Sequence, residues 1–202
     1  MNTVVAVPPT ARERGKIAPT KFAHIVLRTS RFEEMMNWYK TVLEVEVVLE
    51  NPMVSFLTYD DEHHRLAIAN MPDLKDREPQ SAGVEHVAYT YETLDDLFAT
   101  YERIRAEGIE PYWCINHGIT LSMYYRDPDN NQIELQVDIF ENAEATNDWL
   151  AQSDFDVNFL GVKFDPVELM RRYRDGEPRD TLLARPTIDA SEVFDQLPEG
   201  GL

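Results

Sequence analysis

Alternating apolar and polar residues mark strands, and apolar residues spaced by three and four mark helices. From Lys21 onward the two patterns succeed one another twice. The first cycle predicts a strand over residues 22–28, a helix over about 32–43, and strands over 45–49, 54–59 and 65–70. Ser30 with Glu33 three residues on has the spacing of a capping box at the helix start. After a polar connection over 71–83 the order recurs, with a strand over 84–90, a helix over about 94–106, and strands over 112–115, 120–126 and 132–137. Thr93 is placed to cap the second helix at its N-terminus and Gly108 at its C-terminus. His24-Ile25-Val26-Leu27 and His86-Val87-Ala88-Tyr89 open the two cycles, 62 residues apart. The expected fold class is therefore α+β, built from two βαβββ modules over 21–70 and 84–138 that share one domain.

Outside the repeat the pattern changes. Residues 1–20 contain three prolines and no period, and read as a loose N-terminal arm. Residues 139–202 hold 14 acidic and 6 basic side chains and no strong strand pattern. Within them Asp165-Pro166-Val167-Glu168 predicts a short helix to about Tyr173, and Phe155, Phe159, Leu160, Val162 and Phe164 are too apolar for a free tail. This acidic, partly helical extension is expected to pack on the core or on a second subunit of a homo-oligomer.

Charge and cysteine content narrow the partners and the compartment. The 202 residues carry a formal net charge of −18, which opposes binding to phosphate backbones or anionic bilayers. Cys114 has no second cysteine to pair with, which excludes an internal disulfide and a Cys-rich zinc site. No apolar run exceeds four residues, against about 18 for a spanning helix. The expectation is a cytoplasmic protein with no nucleic-acid or membrane partner.

Strand parity sorts the polar residues into faces. Phe22, His24, Val26 and Arg28 share one face of the first strand, and Val84, His86, Ala88 and Thr90 share one of the strand that opens the second cycle. In the last strand of the repeat, Gln132, Glu134 and Gln136 lie opposite the apolar Ile133, Leu135 and Val137. Taken singly, a strand histidine is an ordinary core or surface residue. Together, His24, His86 and Glu134 supply two imidazoles and a carboxylate, the facial donor set of non-haem Fe(II) sites that leave positions open for substrate and oxygen. Spacing alone does not single this out, because the donors come from distant strands.

The paired His-bearing strands, the run Arg126-Asp127-Pro128-Asp129-Asn130-Asn131-Gln132-Ile133-Glu134, and the repeated βαβββ order resemble the vicinal oxygen chelate superfamily. That superfamily includes glyoxalase I, bleomycin-resistance proteins and type I extradiol dioxygenases. The resemblance covers about residues 21–138 and implies an incomplete metal-binding β-barrel with ligands at His24, His86 and Glu134. Glyoxalase I takes a ligand from the last strand of both halves, but here the first half ends Leu66-Ala67-Ile68-Ala69-Asn70, with no carboxylate. A three-ligand site with open positions suits the dioxygenase branch better.

That branch implies further roles. In His63-His64-Arg65-Leu66-Ala67-Ile68, His64 is similar to the family's acid–base histidine. His117-Gly118 and Tyr124, the latter ten residues before Glu134, resemble its second histidine and its tyrosine. Parity separates Tyr124, which shares a face with Thr120 and Ser122, from Tyr125. Two departures stand out: His117 and Tyr124 are only seven residues apart, shorter than the family pattern, and the loop from His64 to His86 is longer. The plain structural readings are a solvated His63–His64 pair after Asp60-Asp61-Glu62, a simple turn at His117-Gly118, and a barrel-lining Tyr124. Met35, Met36, Trp38 and Tyr39 read as helix core. The function implied by the resemblance is extradiol cleavage of a catechol, a bicyclic one such as 2,3-dihydroxybiphenyl for the single-domain members, by O2 at Fe(II) or Mn(II). Two alternatives remain open at the level of sequence: another metal enzyme on this scaffold, such as a lyase, epimerase or glyoxalase-like enzyme, and a metal-free small-molecule binding or resistance protein.

Overall fold

The computed structural model describes residues 6–78 and 81–199, so the first five positions of the N-terminal arm lie outside the described residues. The described residues divide into two compact units, one formed by 11–78, 81–86 and 126–132 and the other by 6–10, 87–125 and 133–199.

The first unit contains β1 (Ile25–Thr29), α1 (Phe32–Leu43), β2 (Glu46–Asn51), β3 (Val54–Thr58) and β4 (Leu66–Asn70). The strands form a sheet in the order β1-β4-β3-β2. β1 runs parallel to β4, with Ile25 opposite Leu66, and the other pairs are antiparallel, with a register shift between Val47 and Leu49. α1 buries Phe32, Met35, Met36, Tyr39, Val42 and Leu43, the three-to-four spacing of an amphipathic helix, and packs against β4. The helix-core reading of Met35, Met36 and Tyr39 thus holds, while Trp38 is half-buried. The capping box at Ser30 does not form: Arg31 occupies the N-cap with no side-chain cap, and Thr29 Oγ1 accepts the Arg31 amide at 2.8 Å instead. β1 also starts later than its pattern suggests. The Arg65 guanidinium takes the carbonyls of Phe22 and Ala23 at 2.6 and 3.1 Å, so these residues lie outside the ladder and His24 stands just before it.

The second unit carries β5 (His86–Tyr91), α2 (Leu94–Ala106), β6 (Trp113–Asn116), β7 (Thr120–Arg126), β8 (Gln132–Asp138), α3 (Ala143–Gln152), β9 (Val162–Lys163), α4 (Pro166–Arg174), α5 (Arg179–Leu183) and a 3-10 helix over Ala190–Gln196. Its sheet runs β5-β8-β7-β6-β9. Thr93 caps α2 by accepting the Asp96 amide at 3.1 Å, and Gly108 follows its end at φ 77°. Asp165 caps α4, with Pro166 in its first turn.

The extension joins this unit as structure. β9 adds to the edge of β6, with Ile115 opposite Lys163. Tyr173 on α4 donates to Asp95 on α2 at 2.8 Å, and Arg174 pairs with Glu102 at 2.7 Å. The class is α+β with two βαβββ modules, and the strands form two sheets rather than one closed barrel. Among the described residues no helix is long and apolar enough to cross a membrane. Cys114 is a buried free thiol, pushed up to about 12 by burial.

Candidate functional site

In the first unit, the parallel pairing of β1 and β4 sets His24 beside the residues that precede β4. The His24 and His64 rings are 4.3 Å apart, and His64 stacks on Phe56 at 4.4 Å with an interplanar angle of 11°. His63 Nδ1 lies 2.6 Å from His64 Nδ1, a hydrogen bond in which one ring donates and the other accepts. Burial first, then the neighbouring His24 and His63, hold the His64 imidazole below its ordinary value. The solvated-pair reading fits His63, which is exposed and 3.4 Å from Glu62. It does not fit His64, which is half-buried between two rings.

The Asp-Pro turn is the best-defined local device of this unit. Asp127, 3% exposed, accepts the amides of Asp129 and Asn131 on Oδ1 and the Asn131 side chain and Tyr39 hydroxyl on Oδ2. Asn130 sits in the left-handed region at φ 61°, which a short polar residue tolerates. The turn releases the chain into β8, the strand that carries Glu134. His86 is exposed at the start of β5, with Nδ1 3.6 Å from Glu85.

In the second unit, Glu134 is buried in the middle of β8 at 4% exposure. The side chain of Gln136, on the same face of β8, donates to Thr90 of β5 at 3.0 Å. β6 and β7 pair with Trp113 opposite Tyr124. The turn between them presents His117, whose Nε2 lies 3.0 Å from Tyr124 Oη. The short spacing that departs from the family pattern thus joins the two side chains directly. Trp113 packs beside both rings at 5.8 and 4.8 Å, and the wall is completed by Leu160 and Val193 from the extension.

The structure therefore brings together His24 with His64 and, separately, His117 with Tyr124. Among the described residues no group of three or more His, Cys, Asp or Glu side chains is gathered as a metal cluster. As donor types, two imidazoles and a carboxylate suit ferrous iron; His24 and His86 belong to the first unit and Glu134 to the second. Trp113, Leu160 and Val193 were missed by sequence reasoning. Of the three only Leu160 lies in the apolar run read in the extension, and nothing in that run fixed what it touches.

A family model described as the glyoxalase/bleomycin resistance protein/dioxygenase superfamily matches residues 21–135. Two relatives from Rhodococcus globerulus are similar over most of their length. Biphenyl-2,3-diol 1,2-dioxygenase 2 is 45% identical over 166 residues, 82% of this chain and 87% of that protein. Biphenyl-2,3-diol 1,2-dioxygenase 3 is 41% identical over 167 residues, 82% and 88% of the two chains. A solved glyoxylase/bleomycin resistance protein/dioxygenase domain from Frankia sp. EAN1pec superposes with a TM-score of 0.51 at 16% identity, covering 60% of this chain and 99% of its own, which speaks to the fold alone. From its repeated modules to its Asp-Pro turn, this chain belongs to the glyoxalase/bleomycin resistance protein/dioxygenase superfamily.

Proposed function

We propose that the protein is an extradiol dioxygenase that opens the ring of a catechol, 2,3-dihydroxybiphenyl or a related bicyclic diol, beside its two hydroxyls. The observation that carries this reading is the 45% identity to a biphenyl-2,3-diol 1,2-dioxygenase across 87% of that protein. In this reading His24, His86 and Glu134 hold Fe(II), with Mn(II) as the alternative ion. When bound, the ion supplies Lewis acidity to the catechol oxygens and a path for electrons toward O2.

The remaining groups orient and move protons. Tyr124 and His117 form a hydrogen-bonded pair suited to gripping a catechol hydroxyl and drawing its proton along Tyr124 Oη toward His117 Nε2. His64, next to His24 and stacked on Phe56, holds a ring of fixed orientation whose depressed basicity keeps it neutral near pH 7. A neutral imidazole beside the site would take a proton from the substrate and hold it for return to the product oxygen. The net charge of −18 supports a protein with no nucleic-acid or membrane partner, and we place it in the cytoplasm as a homo-oligomer.

The test is oxygen uptake by protein reconstituted anaerobically with Fe(II) and given 2,3-dihydroxybiphenyl. A yellow ring-cleavage product with stoichiometric oxygen consumption is expected. No uptake with Fe(II) or Mn(II) across a panel of mono- and bicyclic catechols refutes the reading. The H64F variant is expected to keep its metal and lose most turnover.

A further inference from the structure

Residues 139–202 have no part in the chemistry assigned above, yet they supply a partner to one of its groups. His117 Nδ1 lies 2.5 Å from the carbonyl oxygen of Leu160. A carbonyl only accepts, so Nδ1 carries the proton. In the neutral ring Nε2 then presents a lone pair, and the hydrogen bond of 3.0 Å to Tyr124 must be donated by the tyrosine hydroxyl. The opposite tautomer reverses that bond and makes the tyrosine oxygen an acceptor from the histidine.

The Leu160 carbonyl is held in place by a built turn. Asn158, fully buried, accepts the Gly161 amide at 2.8 Å and donates to the Gly161 carbonyl at 3.1 Å, clasping both main-chain groups of Gly161 and so closing the turn over 158–161. Gly161 adopts φ 119° and passes so close to β6 that a Cβ there would lie 2.4 Å from the Asn116 carbonyl oxygen, so no other residue fits. Arg185 then fastens this turn to the histidine's own backbone. Its side chain is only 3% exposed. It donates to the Asn158 carbonyl at 2.8 Å and reaches the His117 carbonyl at 3.5 Å, pairs with Asp154, and lies over the Trp149 ring at 4.9 Å. Burying a guanidinium is costly unless its donors are satisfied, and here they are directed at the two segments whose separation sets the Nδ1 hydrogen bond.

We propose that Arg185, acting through the 158–161 turn, is a positioning residue that fixes His117 in its Nδ1-protonated tautomer and thereby sets Tyr124 as the donor to His117. With its own proton committed to Nε2, the Tyr124 oxygen acts as an acceptor toward substrate. The pair therefore selects a ligand that presents a hydroxyl proton at that point, over one whose oxygen is already ionised or methylated. This rests on the roles given to His117 and Tyr124 under the proposed function.

The test has two arms. In purified full-length protein labelled with 15N histidine and treated with chelator, long-range 1H–15N spectra are expected to show the His117 ring, assigned by its loss in H117Q, protonated on Nδ1. In R185M the signal is expected to move toward a mixture of tautomers. A wild-type ring protonated on Nε2 overturns the proposal whether or not any variant folds. In the Fe(II) enzyme, R185M is expected to lower kcat/KM for the catechol about tenfold in the wild-type background and less than twofold in H117Q, because groups acting through one another are not additive. The same factor in both backgrounds overturns the coupling. If H117Q itself turns over like wild type, the catalytic role of His117 fails while the tautomer assignment is still decided by the spectra.

Discussion

Asp127 offers a quantitative test of how the Asp-Pro turn is held. Its carboxylate accepts four hydrogen bonds, from the Asp129 amide at 2.9 Å, the Asn131 amide at 2.8 Å, the Asn131 side chain at 2.8 Å and the Tyr39 hydroxyl at 3.0 Å. Alanine takes the Asp127 acceptor away from the hydroxyl of the fully buried Tyr39, at about 1–3 kcal/mol. The two backbone amides belong to half-buried residues that water reaches, so each forfeits only about 0.5–1.5 kcal/mol. D127A is therefore expected to lose about 2–6 kcal/mol, read as a fall in urea midpoint at unchanged slope. D127N keeps the volume and one acceptor oxygen for the two amides, and Asn131 can turn its amide to match, so its loss is expected near 1 kcal/mol. A pH series adds a second check. Burial outweighs the hydrogen bonds and raises the Asp127 carboxyl above its ordinary 3.8. A carboxyl raised on folding binds its proton more tightly in the folded state, so its stabilisation is present at acid pH and lost as pH climbs through the raised value. D127N lacks that titration, and its deficit relative to wild type should shrink from acid pH toward neutrality. A D127A protein within 1 kcal/mol of wild type, or D127N less stable than D127A, refutes the account.

Three further outcomes are expected. E134A, and H86A in the same way, should lose iron measured by elemental analysis after anaerobic loading while the far-ultraviolet circular dichroism stays that of wild type. G118A combines φ 89° with a Cβ that would lie 2.1 Å from the Trp149 ring, so it should lower stability by at least about 2 kcal/mol in thermal unfolding. Glu44, which ends α1 in the left-handed region at φ 50°, should be improved by E44G, with a gain of up to about 1 kcal/mol in the urea midpoint.

How far the sequence could be read depended on the range of the interactions involved. Thr93, Gly108 and Asp165 act within their own helix ends, and the structure has them in the expected places. Ser30 failed as a cap because the helix begins one residue later than its spacing suggests, with Arg31 in the N-cap position. The first strand was read too long because a distant Arg65 claims the carbonyls of Phe22 and Ala23. α3 gave no apolar period to read, and it buries no residue; its one local signal is Asn142, which caps it by accepting the Ala145 amide. His117 and Tyr124 were visible as residue types, and their direct hydrogen bond follows from the tight β6–β7 turn. The link from Leu160 to His117 could not be read at all, since a main-chain carbonyl 43 residues away leaves no side-chain signature.

β9 is only two residues long, yet its place beyond β6 decides what the rim of the five-stranded sheet offers to other chains. Without it, the unpaired main-chain groups of Cys114, Ile115 and Asn116 would form a free apolar border, the kind of template on which strands of neighbouring molecules add. With it, the border ends on Lys163, whose ammonium reaches the Asp195 carbonyl at 2.9 Å and whose amide is taken by the Gln196 side chain. Chain growth along the sheet is thus stopped by a charged residue and its own satisfied amide, and a protein shortened before residue 162 would be expected to trade solubility for fibrous or amorphous assembly.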